Sequence, residues 1–387
     1  MTKLPTWADV VLVPVISLIL AAFFAALVLL AIGQSPWQAL TVMVDGALGS
    51  AYGWGYTLYY ATSFVFTGLA VIIAFHAGLF NIGGEGQAML GGLGVALVCL
   101  YLPMPHWSLT LLLAMVAAMV FGGAWAAVPA YLQVKRGSHI VITTIMFNYI
   151  AAALMIYLLV NVLRPDGSMD PASARFSDVV GLPKFQDMPF LQDLFLKYDA
   201  EGLVKLGKDG LPTYQRVPAN VTFFIALAAC LVVWRLLWHT KLGYEMRSFG
   251  KQEKAANYAG ISSFKIIMIA MILSGGFSGL MAINNVMGQA ERLLQNSAEG
   301  AGFIGIAVAL MGRNHPVGIV LASILFGALF QGGAEVSFEV KGFSRDMVVM
   351  LQGFIVLFSG AMAYVLAPTV SAAIGALRGS PKEATRG

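Results

Sequence analysis

The sequence predicts an all-α polytopic membrane protein of about ten transmembrane helices, with inverted-repeat halves, broken helices near a translocation route and a small external lobe. Three observations predict it. Of 387 residues, 59% are hydrophobic and 11% charged, whereas soluble domains carry about 25% charged residues. The charges are also segregated. Asp45 stands alone from Val10 to Gly84, and none occurs from Gly86 to Val134, Gly137 to Leu163, Val217 to Trp234, Ile266 to Ala290 or Met347 to Leu377. Runs on this scale match the roughly 20 apolar residues that cross a bilayer. Third, a polar, glycine-rich stretch, "HAGLFNIGGEGQAMLGG" at 76–92, interrupts the apolar pattern. A second, "EGAGFIGIAVALMGRNH" at 299–315, echoes it with a glutamate-glycine pair and a short apolar half-helix.

Taken in order, hydropathy places spans at 10–32, 57–75, 86–102, 109–134, 139–163, 219–239, 264–288, 300–312, 316–334 and 347–367. The first apolar run continues to about Ile32 without a small-residue cleavage pattern, so it reads as a retained span rather than a signal peptide. Between the fifth and sixth spans, residues 164–219 form a charged insert in which proline, glycine and aspartate stop any helix within a few residues. That insert reads as an external lobe, not a separate domain. Residues 240–263 form a basic loop, and the eighth span is short. An even count puts both termini on one face. Lys3, Lys135 and Arg136, the cluster Arg235, Lys241, Arg247, Lys251, Lys254 and Lys265, then Arg313, Arg378, Lys382 and Arg386 share that face, which the positive-inside rule makes cytoplasmic. The opposite face carries Asp45 and the insert, whose seven basic and eight acidic residues nearly cancel. In this topology the stretches at 76–92 and 299–315 run in opposite directions across the membrane, as an inverted repeat requires. Residues 1–387 thus form one transmembrane domain.

Unwound backbone at membrane depth is tolerated only where it is buried in protein or lines a watery cavity. That makes Phe80 to Gln87 a candidate for a solute pathway. A carboxylate such as Glu85 costs roughly 2.5 to 3.5 kcal/mol to insert unaided, so it needs a partner or water. Asn81 and Gln87 offer both donors and acceptors to a neutral polar solute. On the fifth span, Phe147 and Asn148 add an aromatic face and a second amide, which suit a flat base with hydrogen-bonding edges. The competing reading is structural: Gly83, Gly84, Gly91 and Gly92 allow close helix packing while Asn81 and Glu85 tie helices together.

A second informative stretch is "RSFGKQEKAANYAGISSFK", residues 247–265. It reads as a short helix, too polar for the bilayer, with small residues that suit docking into a groove of a soluble partner. Contact of its lysines with anionic lipid is the competing reading. Catalytic equipment is missing. The chain has no P-loop, no dinucleotide fingerprint and no histidine pair at metal spacing among its five histidines. No enzyme activity, no cofactor or metal in this chain and no nucleic-acid partner are therefore expected. Cys99 and Cys230 sit in apolar spans and read as packing residues.

Four segments in order, "TGLAVIIAFHAGLFNIGGEGQ", "VITTIMFNYIA", "AANYAGI" and "GFIGIAVALMGRNHPVG", resemble the permease subunits of bacterial ABC importers of the branched-chain amino acid and simple-sugar superfamily. "GLFNIGGEGQ" and "TTIMFNYI" resemble its nucleoside and simple-sugar branch, which works with lipoproteins of the basic membrane protein type. The resemblance implies a permease in the bacterial inner (cytoplasmic) membrane, multi-pass, with both termini cytoplasmic. It implies a homologous second permease as heterodimer partner, a cytoplasmic ATPase with two nucleotide-binding domains that holds ATP and Mg, and an external substrate-binding lipoprotein. It also implies that 247–261 couples to the ATPase, through Arg247, Gly250, Glu253, Ala255, Ala256, Gly260 and Ile261. Two departures, His76 and Ser138 to Ile140, lie toward the cytoplasmic side and bear on gating more than on fold.

Three functions compete: an ABC importer permease for nucleosides or related purines, the same machine for a simple sugar or branched-chain amino acid, and an ion-coupled secondary transporter. The third would concentrate ionisable groups in the spans, where Glu85 and Glu335 are the acids available. A neutral small polar substrate driven from outside the membrane fits better, and the motifs favour nucleosides.

Overall fold

The computed structural model describes residues 13–357, apart from 103, 200, 208, 209, 341, 345, 346, 351, 355 and 356, and over these the chain is helical. The order is α1 (Val13–Ala31), α2 (Pro36–Leu48), α3 (Ala51–His76), α4 (Gly84–Tyr101), α5 (Trp107–Arg136), α6 (Ile140–Asn161), α7 (Thr222–His239), α8 (Lys241–Lys251), α9 (Glu253–Tyr258), α10 (Ser263–Ala282) with a π-helical continuation Ile283–Ala290, α11 (Ala301–Met311) and α12 (Pro316–Glu339). Isolated β-bridges are the only extended pairing among the described residues.

Among the described residues, six helices are long and apolar enough to cross a membrane: α3, α5, α6, α7, α10 with its π extension, and α12. The expected count of ten is not reached on this criterion. Glycine, glutamate and glutamine lower the hydropathy of α4, and α11 has 11 residues. The tenth expected span, 347–367, lies for the most part outside the described residues, as do the terminal cations used to assign sidedness.

The chain divides into two compact units, Met43–Gly332 and Met1–Val42 with Gly333–Gly387. In the larger one α3 and α10 are the axis. Buried positions make up 83% of the apolar window of α3 and 78% of that of α10, against 28% for α6 and 33% for α5 and α7. The latter present Leu112, Val116, Tyr157, Leu231 and other large apolar side chains outward, as helices facing lipid do. Helices α4 and α5 pack on α10, α11 packs on α3, and α3 on α10. Closest approach occurs at glycines. A Cβ on Gly91 of α4 would lie 2.6 Å from the carbonyl oxygen of Gly279 on α10, so the close-packing reading holds for Gly91. Gly279→Leu is expected to cost at least about 3 kcal/mol, because backbone lies where the side chain would go. Loss of the folded, monodisperse species from detergent extracts checks this.

Two helices were not expected. Helix α2 follows a turn at Gly33 (φ 77°), and Ser35 caps it, accepting from Gln38 N at 3.3 Å ahead of Pro36 in the first turn. The stretch 247–265, expected as one short helix, is instead divided among the end of α8, α9 and the start of α10, with extended backbone at Gln252 (φ −156°, ψ 96°) between α8 and α9. Thr240 ends α7 and starts α8 by accepting from Gly243 N at 3.1 Å.

The charged insert is irregular, with single 3-10 turns at Asp178–Val180, Phe185–Asp187 and Gln192–Phe195. It is rooted on the helices rather than free-standing. Phe185, Met188, Phe195, Val217 and Ala219 bury themselves around Tyr59 of α3. Lys184 pairs with Glu291 at 3.0 Å, and Arg292 lies 3.8 Å from Asp170.

Candidate functional site: the broken segment between α3 and α4

Helix α3 stops at His76, where Gly78 takes φ 70° and Leu79 N donates back to Ala74 O at 3.0 Å. Residues 77–83 are then non-helical, and α4 begins at Gly84. A break of this kind leaves peptide groups without helical partners. The residues singled out in the sequence supply them. Asn81 Oδ1 accepts from Gly83 N at 2.9 Å, and Asn81 Nδ2 donates to Gln87 Oε1 and to Ser274 Oγ of α10, both at 2.9 Å. Gln87 Nε2 returns a bond to Asn81 Oδ1 at 3.1 Å. From α6, Asn148 accepts from Gly86 N and donates to Ile82 O, both at 2.9 Å. Ser278 Oγ of α10 donates to Gly84 O at 2.6 Å.

Glu85 finds its partner far along the chain. Its Oε1 accepts from Gly300 N at 2.8 Å and its Oε2 from Gly302 N at 2.9 Å. The carboxylate therefore caps α11, where free N–H groups and the helix dipole both favour negative charge. The two echoing stretches, 76–92 and 299–315, meet at this contact.

Asn81, Glu85, Gln87 and Asn148 are thus brought together and buried, at 1 to 7% exposure. The two phenylalanines are half-buried and lie apart from that network. Phe80 stacks on Phe75, with ring centroids at 5.1 Å and planes 9° apart. Phe147 meets Trp125 of α5 edge-on at 5.3 Å, and Trp125 Nε1 donates to Phe147 O at 3.2 Å.

The basic loop touches the break. Gly250, in the last turn of α8, lies where a Cβ on Gly78 would sit 3.0 Å from its Cα, so one side of this exposed glycine abuts the break. Met246 and Phe249 are buried beside it in α8. Arg247 Nε donates to Gly243 O at 3.4 Å. In α9, Glu253 opens the helix and accepts from Ser263 Oγ at 3.2 Å. Ala256 is buried, whereas Ala255, Tyr258 and Ala259 are exposed. Gly260 takes φ 84°, and Ile261 N closes the turn on Ala256 O at 3.0 Å.

A second buried polar centre escaped the sequence reading. Asn284 Nδ2 donates to Tyr59 O and to Ser63 Oγ, both at 2.9 Å, and Asn284 Oδ1 accepts from Asn220 Nδ2 and Thr222 Oγ1. Ser63 Oγ donates to Asn285 Oδ1 at 2.7 Å, and Asn285 Nδ2 to Ser297 O at 3.0 Å. This network joins α3, α7 and the loop before α11 to the π-helical turn. The signal was a double asparagine, "INNV", inside an uncharged run.

Residues 53–360 match the family described as branched-chain amino acid transport system / permease component. The chain belongs to that family. The permease is 33% identical over 345 residues to a glucose ABC transporter permease protein of Haloferax volcanii, covering 89% of this chain and 86% of the relative. It is 33% identical over 348 residues to a guanosine ABC transporter permease protein of Bacillus subtilis, covering 90% and 92%. A nucleoside ABC transporter permease protein of Lactococcus lactis is 28% identical over 351 residues, with 90% of each chain covered. No solved structure matches the permease significantly. Family and apolar helices together make it an integral membrane protein.

Proposed function

We propose that the permease is the membrane subunit of an ATP-powered importer for nucleosides or related purines. The observation that carries this is the match over nine-tenths of the chain to a guanosine and a nucleoside permease, each covered by at least 90% of its own length. ATP hydrolysis belongs in this reading to a separate cytoplasmic ATPase with two nucleotide-binding domains. A homologous second permease and an external substrate-binding lipoprotein complete the assembly, which sits in the bacterial inner membrane. Ten crossings with both termini cytoplasmic fit the charge distribution. Inverted-repeat halves are supported by the exchange of partners, α4 on α10 and α11 on α3, around the α3–α10 axis.

The solute route passes the break in this proposal. Phe80 and Phe147 provide the half-buried apolar faces beside it, Glu85 ties the segment to α11, and Asn81, Gln87 and Asn148 hold its backbone in place while offering amide groups as helices shift. α9 is the element that docks on the ATPase, and Gly250 is where motion of the loop reaches the break. A sugar is the second reading, favoured by the glucose permease at the same 33% identity.

Uptake of labelled guanosine, in cells with and without the gene, separates the two when excess unlabelled nucleosides, bases and glucose are added in turn. Purine nucleosides are expected to compete and glucose is not. Absence of gene-dependent guanosine uptake, with gene-dependent uptake of labelled glucose, establishes the sugar reading instead.

A further inference from the structure

An apolar groove of about 620 Å³ opens between α7 and α12, with Leu227, Leu231 and Trp234 on one wall and Val317, Val320 and Leu321 on the other. Both helices are spans, and Leu231 and Leu321 are 68% and 67% exposed. A lateral recess with this lining gives water almost nothing to bond to, so in a bilayer apolar chains fill it.

One end of the groove is marked. Trp234 lines it there, and the His239 ring lies 4.1 Å from the Trp234 ring. Arg235 is the next residue, and Lys241 follows, held by Glu245 at 3.8 Å. Across the groove His315 immediately precedes Pro316, with Arg313 two residues earlier. The Trp238 and His315 rings are 5.3 Å apart, which brings the two helix ends together. Arg235, His239 and His315 are exposed, while α7 and residues 316–332 contain no acidic residue. Glu245 is the acid nearby, and it faces Lys241.

We propose that the α7–α12 groove is a site for an anionic phospholipid. One acyl chain lies between the helices, and its phosphate is held at the basic end by Arg235 and His239, with Trp234 at the level of the glycerol backbone. Basic pockets between membrane helices bind acidic headgroups in this way, and tryptophan favours the interface. A helix of another protein subunit would fill the groove equally well, but would cover Arg235 without offsetting its charge.

The test uses the full chain in phosphatidylcholine vesicles containing a minor fraction of phosphatidylglycerol, with bromine on the acyl chains of one lipid at a time. Brominated phosphatidylglycerol is expected to quench a component of tryptophan fluorescence that Trp234→Phe removes. Brominated phosphatidylcholine at the same fraction should quench it about fivefold less. Arg235→Gln should abolish that difference and Arg235→Lys retain it, which distinguishes loss of charge from loss of fold. Equal quenching by the two lipids in the unmodified protein, or an unchanged preference in Arg235→Gln, overturns the proposal. So does a disulfide from Leu321→Cys to a neighbouring permease subunit in the vesicles.

Discussion

Glu85→Leu is expected to abolish uptake and to destabilise the helix core by about 3 kcal/mol or more. Both carboxylate oxygens accept from backbone N–H groups at the start of α11, and a hydrogen bond to a charged group contributes about 1.5 to 3 kcal/mol. Leucine removes both bonds and leaves two donors unpaired, that of Gly302 buried and that of Gly300 partly buried. Glu85→Gln keeps the shape and one acceptor, so it should cost roughly half as much and retain partial uptake. Denaturant unfolding of the purified chain reads the first effect and labelled-solute uptake the second. Glu85→Leu with unchanged stability would mean that the cap contributes nothing.

The second large effect lies on α9. Ala255 is exposed, so tryptophan there fits the permease itself and obstructs only what docks on it. Ala255→Trp is expected to reduce uptake to background, either by stripping the ATPase from the complex or by leaving hydrolysis unresponsive to the loaded binding protein. Gly260 and Ala256 serve this test less well. A side chain at Gly260 would be strained by the left-handed backbone, at roughly 1 to 2 kcal/mol, and Ala256 is already buried. The lipid-contact reading gives the opposite pattern: Ala255→Trp harmless, and loss of Lys251 and Lys254 together damaging. Substrate-stimulated ATPase rates of the two variants in one reconstituted system decide between them.

The break itself was legible, because six glycines and three polar side chains inside an oily run have few structural uses. What satisfied Glu85 was not. Its partners, Gly300 and Gly302, are more than 200 residues away and contribute peptide groups, which carry no side-chain signature. Asn148 was found by its type, but its role as a splint across Ile82 and Gly86 depends on how α6 packs. Helix α2 was legible and missed: serine followed by proline marks a helix start, yet 13 residues fall short of a hydropathy window tuned to spans. The α8–α9 division escaped because Gln252, whose backbone is extended, has no breaker character. The amide network around Asn284 was hidden for a different reason. Asn284 and Asn285 sit in an unbroken apolar run, and their partners on α3, α7 and the loop before α11 include backbone carbonyls and side chains distant in sequence.

The most direct test of the central claim is solute flux into proteoliposomes that hold the permease with the proposed second permease and ATPase, supplied with the proposed external binding protein and labelled guanosine. The account predicts accumulation that requires ATP, is unaffected by collapsing ion gradients, and disappears with Ala255→Trp. Accumulation driven by an ion gradient without ATP would contradict it.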